Sequence, residues 1–392
     1  MSEQTLLSVP PLAVYVHLPW CLAKCPYCDF NSHVAPQTLP EDQYVDYLLA
    51  DLDCDLPLVS GRPVESVFFG GGTPSLFTPR AIGRFLQGLR ARVPMAGDVE
   101  VTLEANPGAL EHGRFAGYRE VGITRISLGV QSFNNRHLKA LGRIHNSDQV
   151  LHAVTELKAA SFENFNLDLM YGLPQQTQAE ANDDLAQAIA LGPTHLSHYQ
   201  LTMEPGTVFF RRPPSVPDED AMWEIQQSCQ AQLATSGYEQ YEVSAYSRAG
   251  RWCRHNVNYW QFGDYLGLGA GAHGKLTDAV SGAIWRTQRQ KQPREYLSKP
   301  NAVARLSEHR LVKDFELPFE FALNVLRLKS PWTSALFEAR TGLPIAAIAA
   351  QLQTARDRQL ITGSNERGWQ PTELGERFLN DLQTIFLTDE SK

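Results

Sequence analysis

Apolar and β-branched residues recur through the first half of the chain in short, nearly unbroken runs: Val14 to Leu18, Ser66 to Phe69, Val99 to Leu103, Arg125 to Val130, Phe165 to Met170 and His195 to Leu201. Runs of this length predict buried strands. Between them lie longer stretches whose apolar positions repeat at helical spacing: Asp42 to Leu56, Pro79 to Val93, Arg114 to Val121, Gln149 to Ala159 and Ala179 to Leu191. Strand and helix take turns, which predicts an α/β fold with parallel pairing through right-handed crossovers. The runs VFF, ISLGV and LDLM are too continuously apolar for a sheet with one wet face, so both faces should be covered.

A further helix is expected from about Asp218 to Thr235, leading into one more strand in YEQYEVSAY. Residues 250 to 300 are rich in Gly, Trp, Tyr and Arg without a clear period and read as a connection that covers something. From Phe319 the pattern turns helical again, with Ser334 to Thr341, Pro344 to Gln359 and then GWQPTELGERFLNDLQTIF. A short hairpin between helices there would resemble a winged helix. The expected division is a barrel-like unit over 1–245, a connecting and covering region over 246–305, and a smaller helical unit over 306–392.

Composition narrows the function. With 392 residues, 43% hydrophobic and 20% charged, the chain has ample material for a packed core and is not disordered. Its formal charge of −8 has the wrong sign for a protein that works by neutralising phosphates. The segment from Thr333 onward repeats this balance with six basic and eight acidic residues, so nucleic acid is disfavoured as a partner there too. No window approaches 18 uninterrupted apolar residues, and the start lacks a basic n-region, so a cytoplasmic protein without a transmembrane segment is expected.

Six cysteines are too few for a disulfide scaffold, and three of them, Cys21, Cys25 and Cys28, crowd into HLPWCLAKCPYCDFN directly after the first strand. Pro19 and Pro26 oppose a regular helix, so the segment should wrap as a loop that aims three soft thiolates at one centre. An iron–sulfur cluster bound by three cysteines keeps one iron open to another ligand. Zinc with His17, His33 or Asp29 as fourth ligand is the rival, weakened because no second short knuckle appears. Cys54, Cys229 and Cys253 read as ordinary core or surface thiols.

The spacing CxxxCxxC with an aromatic, Tyr27, before the last cysteine resembles the signature of radical S-adenosylmethionine proteins. The resemblance implies a partial (β/α)6 TIM-like radical SAM barrel, a 4Fe-4S cluster on Cys21, Cys25 and Cys28, and S-adenosylmethionine chelated to the open iron. In a barrel of this kind chemistry gathers after the carboxyl ends of the strands. The sequence places Gly70-Gly71-Gly72-Thr73-Pro74 after the second strand and Glu104, Gln131 and Asp168 at the ends of the third, fourth and fifth. Tyr199, Thr202 and Glu204 follow the sixth.

The likeness extends over about residues 12 to 390 to oxygen-independent coproporphyrinogen III oxidase-like proteins, through YVHLPWC, GGGTP, EANPG, GVQSF, GRIH, NLDLMYGLP and a C-terminal helical domain in this order. It implies cofactor contacts at Tyr15, Gly71 and Glu104, and a second S-adenosylmethionine site at Tyr27, Gly72, Thr73, Gln131, Arg143 and Asp168. Two departures separate branches of the group. The decarboxylating oxidases carry a further cysteine where Phe30 stands here, and a longer region ahead of the cluster. CPYCDFNSH and His255-Asn256-Val257-Asn258-Tyr259-Trp260 instead resemble the HemW heme chaperone branch. That branch implies heme as cargo, heme-accepting respiratory proteins as recipients, and compatibility with a homodimer and with peripheral membrane contact.

The alternative is coproporphyrinogen III dehydrogenation in porphyrin biosynthesis, and the sequence leaves open whether the chain turns over as an enzyme. Radical modification of RNA is a third reading, opposed by the acidic balance. His255 is a candidate for heme iron, with Tyr259 and Trp260 against the macrocycle. The GxGxxG match at Gly269 to Gly274 precedes KLTDAVSG, a poor helix, so a dinucleotide site is not expected there.

Overall fold

A computed structural model describes residues 9–59, 61–108, 113–278 and 280–387. Strands β1 (Leu12–Leu18), β2 (Val64–Gly71), β3 (Met95–Ala105), β4 (Arg125–Gln131), β5 (Phe165–Tyr171) and β6 (His195–Gln200) lie side by side in parallel, in chain order. Their central residues are buried almost without exception, as the unbroken apolar runs require. Helices α1 (Glu41–Val59), α2 (Pro79–Arg90), α3 (Phe115–Val121), α4 (Asn135–Ala140), α5 (Ser147–Ala159) and α6 (Gln178–Ala190) form the crossovers. Local chemistry sets their ends. Asn146 with Gln149 and Thr177 with Glu180 make capping boxes, and Gly122 stops α3 in a left-handed conformation.

Two expectations are corrected beyond β6. YEQYEVSAY is not one strand: β7 (Glu239–Gln240) and β8 (Ala245–Ser247) pair antiparallel with each other, and β8 pairs with β6. They follow helix α7 (Glu219–Thr235). The supposedly aperiodic stretch after residue 250 begins with helix α8 (Arg254–Trp260) and then supplies β9 (Asp264–Leu268), β10 (His273–Thr277) and β11 (Ile284–Arg289). With β12 (Leu306–Leu311) these extend the same sheet. The order is β12-β11-β10-β9-β1-β2-β3-β4-β5-β6-β8-β7, with β9 parallel to β1.

The period was hidden because inward positions of these strands are charged. Lys275 is buried and its Nζ donates to Asp264 at 2.9 Å. Arg289 is buried and donates to Asp55 at 2.7 Å. Each charge is matched, which is what burial of ions demands. Helices α9 (Leu317–Val325), α10 (Ser334–Thr341) and α11 (Ala349–Asp357), followed by the hairpin of Ile361–Ser364 and Gly368–Pro371, give the expected helix-and-hairpin unit. Its own core holds Phe321, Trp332, Phe337 and Trp369. Among the described residues no helix is long and apolar enough to cross a membrane.

Candidate functional site

The carboxyl end of β1 runs directly into the cysteine loop. Cys21 lies on a two-residue strand, Trp20–Cys21, paired with His33–Val34, so the loop is pinched at its base. The amide of Cys28 donates to the Cys25 carbonyl at 3.2 Å, a turn that keeps the second and third thiols together. All three cysteines are free and half-buried. Burial pushes the Cys21 thiol up, and the neighbouring cysteines add to this against a hydrogen bond from Thr73. Burial likewise raises Cys28, opposed by the Phe30 amide and the Ser32 hydroxyl.

Cys21 and Cys28 therefore resist ionisation until a metal centre supplies positive charge. Among the described residues no three Cys, His, Asp or Glu side chains converge tightly enough for a single metal ion. A four-iron cube takes each thiolate at a different corner, so this loop and its donor set suit a cube.

The glycine loop closes in behind the cysteines. Gly72 donates to the Leu18 carbonyl at 2.8 Å and Thr73 to the Trp20 carbonyl at 2.7 Å. A Cβ on Gly72 would stand 2.6 Å from the Trp20 oxygen, and one on Gly71 (φ +116°) would strike the His17 ring at 2.6 Å. Only glycine permits this approach. Gly72→Ala is therefore expected to lower the iron content of reconstituted protein at least tenfold and to lower the urea midpoint. Gly97→Ala, which meets open space, should change neither.

Glu104, at the end of β3, accepts from the Gly71 amide at 3.2 Å. Burial, together with the nearby Asp168 charge, pushes its carboxyl up to about 8. Asp168 is also raised by burial, while Ser127 at 3.1 Å and Asn166 at 2.8 Å hydrogen-bond to it. Tyr15 is a half-buried neighbour of Glu104. Its hydroxyl donates to His17 Nδ1 at 3.0 Å, because His17 Nε2 donates to the Asn31 carbonyl at 2.8 Å. Burial holds His17 down at about 4, so it is neutral.

A second group forms around Arg143. Its guanidinium reaches Cys25 Sγ at 3.7 Å, the Asn106 side-chain carbonyl at 2.5 Å and the Gly129 carbonyl at 2.8 Å. Asn106 in turn donates to Thr73 at 3.0 Å. Gln131, held at φ +71°, accepts from Tyr199 at 2.9 Å. Burial raises Tyr27, while the Arg143 charge opposes that rise. A cleft between the cysteine loop and the strand ends is lined by Cys25, Thr73, Asn106, Arg143 and His145, among others.

The residues singled out from the sequence thus gather in one region. Thr202 and Glu204 are not drawn into these contacts. Asn106 and Asn31 were missed as individuals, although both stand inside quoted motifs, EANPG and CDFNSH. Asn31 Nδ2 donates to the carbonyls of Ala270 and Lys291, each at 3.0 Å, and so anchors the cysteine loop to the turn between β9 and β10 and to the segment just after β11. A strand, not a helix, follows that GxGxxG match.

His255, the candidate for heme iron, is enclosed in this structure. It is buried, 5.0 Å from the Phe68 ring and 6.1 Å from Tyr15 between centroids, with Nδ1 3.5 Å from Ser66 Oγ. Burial holds it down at about 3.

The sequence pattern of the radical SAM superfamily matches residues 15–188. The heme chaperone HemW of Haemophilus influenzae is 47% identical over 386 residues, covering 97% of this chain and 99% of that one. The heme chaperone HemW of Escherichia coli is 47% identical over 384 residues, covering 98% and 100%. Among solved structures, the radical SAM enzyme coproporphyrinogen III oxidase (HemN) of Escherichia coli superposes with a TM-score of 0.81 at 24% identity, over 98% of this chain and 92% of that one. At that identity the likeness shows the fold.

Proposed function

The chain belongs to the radical SAM superfamily and, within it, to the HemW heme chaperones, and from that membership we propose that it binds heme in the cytoplasm and hands it to respiratory hemoproteins. The observation that carries this reading is a three-thiol loop at the carboxyl end of β1 in a chain 47% identical, over nearly its whole length, to two heme chaperones. Cys21, Cys25 and Cys28 would hold the 4Fe-4S cluster. When bound, the cluster supplies an iron with a free coordination position and a source of one electron.

Around it Tyr15, Gly71 and Glu104 would receive S-adenosylmethionine, the glycine by close backbone approach and the carboxylate by pairing with the methionine ammonium. Tyr27, Gly72, Thr73, Gln131, Arg143 and Asp168 form the candidate second site. Arg143 there offers a fixed cation between Cys25 and Asn106.

Titration of the reconstituted protein with heme, followed by transfer to an apo-hemoprotein, tests the chaperone reading. Binding and transfer are expected. Rapid conversion of coproporphyrinogen III under anaerobic conditions with S-adenosylmethionine and a reductant would overturn it.

Glu104 supplies a pH signature. The folded protein keeps a proton on it up to about pH 8 that the unfolded chain releases near 4.5. Its contribution to the stability of the ligand-free protein is therefore full below pH 4.5, falls as pH rises, and is lost above about 8. An ammonium favours the anion, so affinity for S-adenosylmethionine should rise roughly tenfold per pH unit toward pH 8. Calorimetric titrations and thermal melts of Glu104→Gln should show both slopes flattened. An unchanged slope in the variant would remove Glu104 from the cofactor site.

A further inference from the structure

The two faces of the central strands differ in kind. Val101 and Leu103 on β3, Ile126 and Leu128 on β4, and Leu167 on β5 join the apolar core with the crossover helices. The alternate positions, which share the other face, are polar: Glu100, Thr102 and Glu104 on β3, Arg125 and Ser127 on β4, and Asp168 on β5. Branched apolar side chains usually fill an interior of this kind. A polar one calls for a reason.

Arg125 is the member with the fewest partners. It is 2% exposed, and among the described residues its guanidinium makes no hydrogen bond and no ion pair, with Nε buried and unpartnered. The Oγ1 of Thr102, its register partner on β3, is likewise buried without a partner. Arg143, by contrast, is committed to Cys25, Asn106 and Gly129. A buried cation without a direct partner needs nearby negative charge to offset its desolvation.

That charge stands on both sides of it. Toward the amino ends of the strands, Glu100 accepts from the Arg254 amide at 2.9 Å, while the Arg254 guanidinium turns away to Asp98 at 2.7 Å. Toward the carboxyl ends, the register sets Ser127 beside Glu104, and Ser127 donates to Asp168 at 3.1 Å. Both cofactor-site carboxylates therefore lie one step along the same face from Arg125. The other titratable groups of this interior are silent near neutrality. Burial, with the Arg125 charge adding to it, keeps His195 on β6 and His255 on α8 neutral. Burial also keeps the Tyr15 and Tyr241 hydroxyls and the Cys253 thiol protonated. It raises Glu104 and Asp168 as well, and there the Arg125 charge opposes the rise.

We propose that Arg125 is a positioning residue of the cofactor site: from the inner face it supplies the uncommitted positive charge that lets Glu104, beside Asp168, ionise when the ammonium of S-adenosylmethionine arrives. This role rests on the assignment of Glu104 to that cofactor and adds what governs its ionisation. Glu100 offsets part of the same charge, so its removal should act in the opposite direction to removal of Arg125.

The test follows the infrared band of the protonated Glu104 carboxyl against pH, in reconstituted full-length protein without S-adenosylmethionine. Glu104→Gln, which lacks the band, identifies it. Iron content and thermal midpoint serve as folding controls. The native band should disappear with a midpoint at about 8. Arg125→Gln should raise that midpoint by roughly one unit or more and weaken S-adenosylmethionine binding at pH 7 by roughly threefold or more. Glu100→Gln should lower the midpoint. A merely structural arginine would change the thermal midpoint and leave the band in place. An unmoved band in folded Arg125→Gln, or an upward shift in Glu100→Gln, would overturn the role of Arg125. If Arg125→Gln holds no iron, the direction of the shift in Glu100→Gln decides. A moved band with native S-adenosylmethionine affinity would restrict Arg125 to the charge balance of the fold and overturn its place at the cofactor site. A native protein that binds no S-adenosylmethionine, or whose affinity Glu104→Gln leaves unchanged, would instead sink the cofactor assignment itself.

Discussion

Cys25→Ser is expected to strip the reconstituted protein of its brown charge-transfer absorbance and to lower bound iron at least tenfold, whereas Cys229→Ser keeps both. The difference follows from where the two thiols stand. Cys25 is in the half-buried loop, next to Arg143 and lining the cleft at the strand ends. Cys229 is buried on α7 against the Asn182 side chain at 3.5 Å, with its thiol pushed up by burial to about 12, far from the thiolate form that metals bind. A serine hydroxyl is a hard, weakly acidic donor and does not replace thiolate on iron. With three attachments reduced to two, the remaining sulfurs lose the effective concentration that makes the third bond intramolecular. Iron analysis and absorption spectra of the two anaerobically reconstituted variants make the comparison. Equal iron in both would dismiss the loop as the cluster site.

The cysteine loop was legible because the signal is local: three thiols, two prolines and a preceding apolar run lie within 15 residues. The six parallel strands were legible for the same reason, since each run carries its own burial. What failed was long-range pairing. His273-Gly-Lys-Leu-Thr277 looks polar, yet Lys275 is an interior residue because Asp264, 11 positions earlier, waits opposite it. Trp285 and Arg289 on β11 hide the same rule, for the partners of Arg289 lie on α1, 234 positions away. Tyr238 to Tyr246 has the composition of a strand, but Glu242 turns inward to Arg327 and caps Ser244, which breaks the pairing into two short pieces. Asn31 could not be singled out from its neighbours, because its role consists of two carbonyls more than 230 residues distant. His255 was visible as unusual, and only the packing of α8 against β2 shows that its ring is enclosed.

Asp51→Ala should produce the largest loss of stability of any single charge removal where α1 meets Arg289 and Arg305, about 3 to 5 kcal/mol. Asp51 is fully buried on α1 and serves four donors: Arg305 Nε at 2.8 Å, the Tyr296 hydroxyl at 2.6 Å, Arg289 at 3.5 Å and the Gly269 amide at 3.3 Å. Without it, Arg289 keeps the carboxylate of Asp55 but buried Arg305 is left with the Tyr47 carbonyl and no carboxylate, and its desolvation is no longer offset. A fall in thermal midpoint of roughly 4 to 6 °C is expected for a chain of this size.

A second signature separates this from general damage. Burial, with Asp51 adding to it, raises the Asp55 carboxyl to about 6 against the pull of Arg289. The folded state thus holds a proton between pH 3.8 and about 6 that the unfolded chain has lost, and native stability declines through that window as pH rises. Removing Asp51 lowers the Asp55 pKa, so the decline should shrink in the variant. The effect also reaches the cluster. Gly269 begins the turn whose Ala270 carbonyl receives Asn31 of the cysteine loop, so the variant should release iron faster on exposure to a chelator even below its melting point. Asp51→Asn keeps the Tyr296 and Gly269 acceptor and should restore part of the iron retention while recovering little of the charge balance. If chelation rates track thermal midpoints identically in both variants, the junction stabilises the fold without steering the cluster loop.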